Sequence, residues 1–328
     1  MTRFSYHVSH EQHSPRDLLR LVQLAEAAGF DAAFSSDHLQ PWGPAQGHSG
    51  FTWSWLGAAL QATQRLRFSA ITVPGGWRYH PVVLAQAIAT LAQMYPGRLP
   101  WVALGSGEAL NEACIGSGWP VKSERQQRLQ KAALAMRALM AGEQVSQPPP
   151  LPIDRARLWT RPDAPVPLVG AATSPDTARW VASWADGLLT VASRFDDLQA
   201  IVQAFREGGG EGKPVHVKVD VCWAASDDEA LHAAHAQWRF NAAPGDADEE
   251  ARHPEDFNLL TQQLTPEDMR RHVFISHDLD AHVEHLRQWA SLGIDTLDLH
   301  QVAGDQADFI RQFGERVLPA LRPAGRPT

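Results

Sequence analysis

The chain has only two cysteines, Cys114 and Cys222, and only four lysines, Lys122, Lys131, Lys213 and Lys218. Two isolated cysteines without metal-ligand spacing exclude a disulfide framework and a cysteine-based zinc site, and they fit a reducing compartment. No run of four basic residues occurs, and the net charge is −8. That balance argues against a nucleic-acid or anionic-membrane surface. Long hydrophobic runs are also missing: none approaches the ~18 apolar residues of a membrane helix, and the start MTRFSYHVSHEQ lacks the apolar segment of a signal peptide. These absences predict a cytoplasmic protein that acts on a small molecule, with no nucleic-acid or membrane partner.

What is present is alternation. RFSYHV (3–8) reads as a strand; Ser14 and Pro15 then supply an N-cap and a first-turn proline, and Gly29 ends the helix. Leu18, Val22, Ala25 and Ala28 share one face of that helix. Further strands read at 31–36, 67–73, 99–105, 166–171, 187–192, 215–223 and 296–300, with helical segments between them. Short apolar strands of this kind are buried on both faces by crossover helices. Eight of them predict a single domain over 1–328, a (β/α)8 TIM barrel with loop insertions near 106–122, 143–165 and 241–278. An open, doubly wound sheet is the runner-up. SQPPPLP (146–152) reads as a semi-rigid connector inside one insertion.

In a barrel the loops after all strands face one mouth, where such enzymes keep their chemistry. Asp37 and His38 follow strand 2 in SDHLQPW, and Glu108 follows strand 4 in GSGEALNE. A histidine titrates near neutrality and can take a hydroxyl proton, although a lone histidine is more often a hydrogen-bonded structural residue. GSGEALNE is not a dinucleotide fingerprint, because Leu110 stands where the third glycine belongs. Its glycines let backbone approach a flat or anionic ligand, or they simply make a strand-to-helix turn. Thr173 and Ser174 precede Pro175 at a helix start whose free N–H groups could hold a phosphate. A metal centre is not expected, since His7 and His10 would face opposite ways along a strand. The chain has 12 tryptophans, Trp42 and Trp77 among them, whose rings suit a planar ligand but also suit a core.

Taken together, SDHLQPW, AQGHSGFTWSWLGA, WRYHP, GSGEALNE, ADGLLTVAS and LHQVAGDQADFIRQFGERVLP resemble the luciferase-like monooxygenase superfamily. They are similar to the group containing deazaflavin (coenzyme F420)-dependent glucose-6-phosphate dehydrogenases and their FMN-using relatives. The resemblance implies a (β/α)8 barrel, usually a homodimer. It implies that His38 is the base or polariser at the substrate oxygen and Glu108 the acid near the ring nitrogens. Asp37 and Trp42 would line the cofactor ring, with Trp42 also touching substrate. Ile71, Thr72 and Val73 would back the ring, in a region where the family often has a non-proline cis peptide. Ser106, Gly107 and Asn111 would follow the cofactor edge, and Ala171, Ala172, Thr173 and Ser174 would receive its phosphate. Two departures stand out. Ala171-Ala172 replaces commonly paired glycines, and Arg194 stands where sugar-phosphate dehydrogenases have a phosphate-binding lysine, which speaks against glucose 6-phosphate as substrate.

The expected function is hydride transfer between bound FMN, with coenzyme F420 as the alternative, and a small oxygenated or carbonyl substrate. The protein would orient the cofactor and manage protons. The competing readings are a flavin-dependent monooxygenase of the same fold, a non-redox hydrolase or isomerase using His38 and Glu108, and a flavin-binding protein without turnover.

Overall fold

In the computed structural model, which describes residues 2–192, 194–243 and 251–322, short parallel strands close into a ring. They are β1 (Arg3–Val8), β2 (Ala32–Ser35), β3 (Arg67–Thr72), β4 (Val102–Leu104), β5 (Leu168–Ala171), β6 (Leu188–Ala192), β7 (Val215–Cys222) and β8 (Thr296–Gln301). Each pairs with the next, and β8 returns to β1 with Arg3 opposite Thr296. The ring is the (β/α)8 barrel that the alternation predicts.

Helices cover the outside: α1 (Pro15–Ala27), α2 (Thr52–Ala62), α3 (Pro81–Met94), α4 (Lys122–Ala141), α5 (Pro175–Ala182), α6 (Phe195–Phe205), α7 (Asp227–Trp238), α8 (Leu279–Ala290) and α9 (Gln306–Gln312). Local chemistry sets where they begin. Ser14 accepts a hydrogen bond from Asp17 N at 3.2 Å ahead of Pro15, and Ser174 does the same for Thr177 N at 3.4 Å ahead of Pro175. Leu18, Leu21, Val22 and Ala25 of α1 are buried against the barrel, where the 3.6-residue period puts them.

The insertions acquire structure of their own. The 143–165 segment forms an antiparallel hairpin of Val145–Gln147 and Ile153–Ala156. In the 241–278 segment, 244–250 lies outside the described residues. The rest holds the helix Pro254–Leu260, a 3-10 turn Pro266–Arg271 and a short strand Phe274–Ile275 that extends β7 in parallel. Phe257 and Met269 are fully buried and anchor what otherwise reads as a polar loop. Among the described residues the cis peptide is Pro149–Pro150, so the bonds of 71–74 are trans, unlike the family habit. No helix of the described residues is long and apolar enough to cross a membrane.

The barrel interior is divided. Phe34, Trp101, Ala103, Val169 and Leu189 from β2 to β6 form one apolar cluster with Ile71. Inside β1, β7 and β8 lie His7, His216, Asp220, Asp298 and His300, all buried, with Lys218 beside them. In these strands the apolar positions face the helices and the polar ones face inward, so the period-2 pattern runs opposite to that of a one-sided sheet.

Candidate active site

The loops after β1, β2 and β4 meet at the mouth of the barrel. Glu11, in the first loop, is 2% exposed. The hydroxyls of Ser9 and Ser36 donate to its Oε2 at 2.9 and 3.0 Å, and its Oε1 lies 2.6 Å from His38 Nδ1. On the other side of the imidazole, His38 Nε2 is 3.8 Å from Glu108 Oε2. Asn111 holds the two loops at this spacing: its Oδ1 accepts from Leu39 N at 2.8 Å and Gln40 N at 3.0 Å. The Trp42 ring stands edge-on to His38 with centroids 5.3 Å apart and packs in turn on Phe257 of the last insertion.

Burial opposes a charge on His38, but the bonded Glu11 carboxylate, and then Glu108, outweigh it and raise the imidazole pKa to about 9. Burial likewise works against ionising Glu11, yet the adjacent His38 holds its carboxyl well below the usual carboxylate range. At neutral pH the pair is therefore an imidazolium donating its Nδ1–H to a carboxylate. The Nε2–H is directed to the Glu108 side, where a substrate oxygen can meet it.

Beneath this pair lies a second charged cluster that locks the loop. Asp37 Oδ2 accepts from Thr72 Oγ1 at 2.7 Å, and Oδ1 accepts from Tyr79 OH at 2.9 Å. Arg78 donates to the Asp37 carbonyl at 2.5 Å and to Glu112 Oε1 at 2.9 Å, and its side chain is 7% exposed. Both Asp37 oxygens are thus engaged by the protein itself, which fixes the backbone just ahead of His38.

These residues line a cavity of about 500 Å³. It is bounded by Asp37, His38 and Trp42 after β2, by Ile71, Thr72 and Val73 at β3, and by Ser106, Gly107, Glu108 and Asn111 after β4. Ala171, Ala172 and Thr173 bound it after β5. Gly107 has φ +85°, and a Cβ there would sit 3.0 Å from Glu112, Trp119 and Val73. Only glycine keeps that wall open, so the residue is needed for packing as well as for ligand approach. Beyond Gly107 the cavity reaches Lys122 and Arg125 at the start of α4 and Thr177 in α5.

Two singled-out residues lie elsewhere. Ser174 does not line the cavity, because its hydroxyl caps α5. Arg194 is 73% exposed at its side chain, 3.6 Å from Asp197, and outside the cavity wall. The residues that sequence reasoning missed are Glu11, Arg78, Lys122, Arg125 and Lys218. Glu11 follows β1 and was findable by the strand-end rule applied to His38. Lys218 was findable from the VHVKVDVC alternation. Arg78 and the α4 cations carried no local signal, since only tertiary packing brings them to the mouth.

The model of the luciferase-like monooxygenase family matches residues 1–296. An F420-dependent glucose-6-phosphate dehydrogenase of Beutenbergia cavernae is 35% identical over 335 residues, covering 99% of this chain and 99% of that protein. Its namesake from Nakamurella multipartita is 35% identical over 328 residues, covering 98% and 96%. A solved F420-dependent secondary alcohol dehydrogenase, in complex with an F420–acetone adduct, superposes with a TM-score of 0.90 at 30% identity over 98% of this chain and 99% of that one. These similar proteins are named for F420, the alternative in the sequence reading, and not for FMN, its first choice. The chain belongs to the luciferase-like monooxygenase family and is an oxidoreductase.

Proposed function

We propose that this protein is an F420-dependent dehydrogenase that interconverts a small hydroxyl compound and its carbonyl form. The observation that carries this reading is the His38–Glu11 pair, 2.6 Å apart, with Glu108 3.8 Å from the free imidazole nitrogen in the wall of a cavity of about 500 Å³. When bound, F420 supplies the ring carbon that takes or gives the hydride. The cavity fits it: Ile71 and Val73 present apolar surface to a flat ring, and Lys122 and Arg125 are cations for the acidic tail of this coenzyme. FMN has a single phosphate and less use for two such residues.

His38 carries the proton chemistry. As an imidazolium it donates Nε2–H to a carbonyl oxygen; in the opposite direction its neutral form takes the hydroxyl proton. Glu11 holds the ring in the orientation that points Nε2 into the cavity. Glu108 and Trp42 confine the reacting carbon near that nitrogen, and orientation of this kind is a large share of catalysis. Family membership is also the ground for expecting a homodimer, which light scattering on the purified protein checks.

Titration with F420 and with FMN, followed by fluorescence, tests the cofactor. The expected result is saturable binding of F420 in preference to FMN, and loss of the oxidised coenzyme's visible absorbance when a secondary alcohol is added. Tighter binding of FMN, with no F420 turnover, would sink the proposal.

A further inference from the structure

The cavity is also lined by Thr190 of β6, Lys218 of β7, Trp238 at the end of α7, and Asn241. Lys218 is the cation among them, but its charge is already matched. Its Nζ lies 2.5 Å from Asp220 Oδ1 and 5.1 Å from the centroid of the Trp238 ring. Asp220 cannot turn away, because Oδ1 also meets His300 Nδ1 at 2.8 Å and Oδ2 accepts from Trp238 Nε1 at 3.2 Å. Outside the cavity wall, Arg194, Arg270 and Arg271 supply no further cation to it: Arg194 lies 3.6 Å from Asp197, Arg270 3.1 Å from Glu267 and Arg271 3.7 Å from Asp268. Of the carboxylates that border the cavity, Glu11 is paired with His38 and Asp37 and Glu112 with Arg78, while Glu108 stands 3.8 Å from His38 Nε2.

The groups left over for a ligand on this side are uncharged. Thr190 Oγ1 is buried without a hydrogen-bond partner among the described residues, and Asn241 brings an amide to the same cavity. A buried hydroxyl with no partner is unfavourable unless a ligand or water satisfies it. An anion placed here would meet a lysine already neutralised by the Asp220 carboxylate, and so would lose its hydration without gaining a free cation.

We propose that the substrate is an uncharged hydroxyl or carbonyl compound, and that Asp220 sets this preference by holding Lys218 in a fixed ion pair. The inference rests on the reading of the cavity as the site of an F420-dependent dehydrogenase, and it names the substrate class of that site. Sugar phosphates and hydroxy acids are excluded by charge, not by size. Releasing Lys218 from Asp220 gives the wall an unmatched cation and opens it to anions.

The test compares matched pairs on F420-loaded protein: 2-propanol against lactate, which replaces one methyl by a carboxylate, and cyclohexanol against glucose 6-phosphate. F420 binding is read first by fluorescence quenching, so its failure counts against the function and not against the charge preference. In the wild-type protein the neutral member of each pair is expected to have a kcat/KM higher by roughly 100-fold or more. Asp220→Asn, or Asp220→Ser if the first variant melts early, is expected to shift that ratio at least about tenfold toward the anion. A wild-type preference for glucose 6-phosphate or lactate, or turnover of neither class, would overturn the inference. So would an unchanged ratio in a folded Asp220 variant. Should F420 not bind, calorimetry of wild-type protein with the same pairs decides, and tighter binding of the anions, or heat from neither class, would overturn it.

Discussion

Two histidines of this barrel each face a buried carboxylate, and they end in opposite protonation states. His38 lies 2.6 Å from Glu11 and is raised to about 9, while His300 lies 2.8 Å from Asp220 and is lowered to about 3. Burial disfavours the charged form of both. The difference lies in what else the carboxylate holds. Glu11 is met by two hydroxyls, which bring no charge, and Glu108 adds a second negative group near His38. Asp220 is met by the ammonium of Lys218, and the His7 ring lies tilted against His300 with ring centroids 4.3 Å apart. A histidine–carboxylate distance alone therefore does not define a proton-transfer site; the remaining charges around the carboxylate do.

Removing the imidazole from the first pair has the largest expected effect. His38→Ala should lower kcat by roughly 10²–10⁴ while F420 affinity stays within a few-fold. Single-turnover kinetics beside a binding titration separate the two, and equal loss of both would make His38 structural.

Lys218→Met converts the second pair toward the first by leaving Asp220 with only neutral partners. We expect a loss of about 3–5 kcal/mol in denaturant unfolding, reduced to the extent that His300 takes up a proton. NMR titration should then find His300 protonated well above its present value of about 3. A His300 signal that does not move would show that the lysine is not what keeps it neutral.

Glu11→Gln makes the converse change. Oxidation of the alcohol needs neutral His38, so its rate should rise with pH toward about 9, and carbonyl reduction should fall above that value. The glutamine keeps a hydrogen-bond acceptor but removes the charge, so both profiles should move toward ~6.5, with roughly a 3- to 5-fold loss in the reduction rate at pH 7 and roughly a 10- to 30-fold loss near pH 8. The same linkage acts on stability. Because the folded value is raised, the stabilisation by the pair is complete below ~6.5 and disappears as pH rises through about 9. Melting temperature followed across that window should decline more in the wild type than in Glu11→Gln.

The smallest effect belongs to the far end of the cavity. Lys122→Ala should weaken F420 binding by roughly 3- to 10-fold at low ionic strength, and by less as salt screens the contact. The coenzyme's headgroup without its phosphate and tail should bind both proteins equally.

Much of the fold was legible because it is written locally. Ser14-Pro15 and Ser174-Pro175 carry helix starts, and eight short apolar strands with crossover helices admit few arrangements besides a barrel. The mouth residues His38, Glu108 and Asn111 were legible by their place after strands. Ser174 reads as a ligand contact in the sequence, but its hydroxyl caps the helix, and cap residues and phosphate-binding residues look alike until the direction of the side chain is known. Arg78 and Lys122 were invisible because nothing in their neighbourhood announces a contact with Asp37, Glu112 or the cavity.

By itself, then, the sequence determined which segments are strands and helices, that they form a barrel, and which loops gather at its mouth, because those follow from periodicity, caps and chain connectivity. Only the tertiary structure decided which carboxylate meets which histidine. That choice joins Glu11 to His38 across 27 positions and Asp220 to His300 across 80. Charges at such separations interact only when the closed barrel removes the water between them, so the protonation states that make one pair reactive and the other inert are properties of packing.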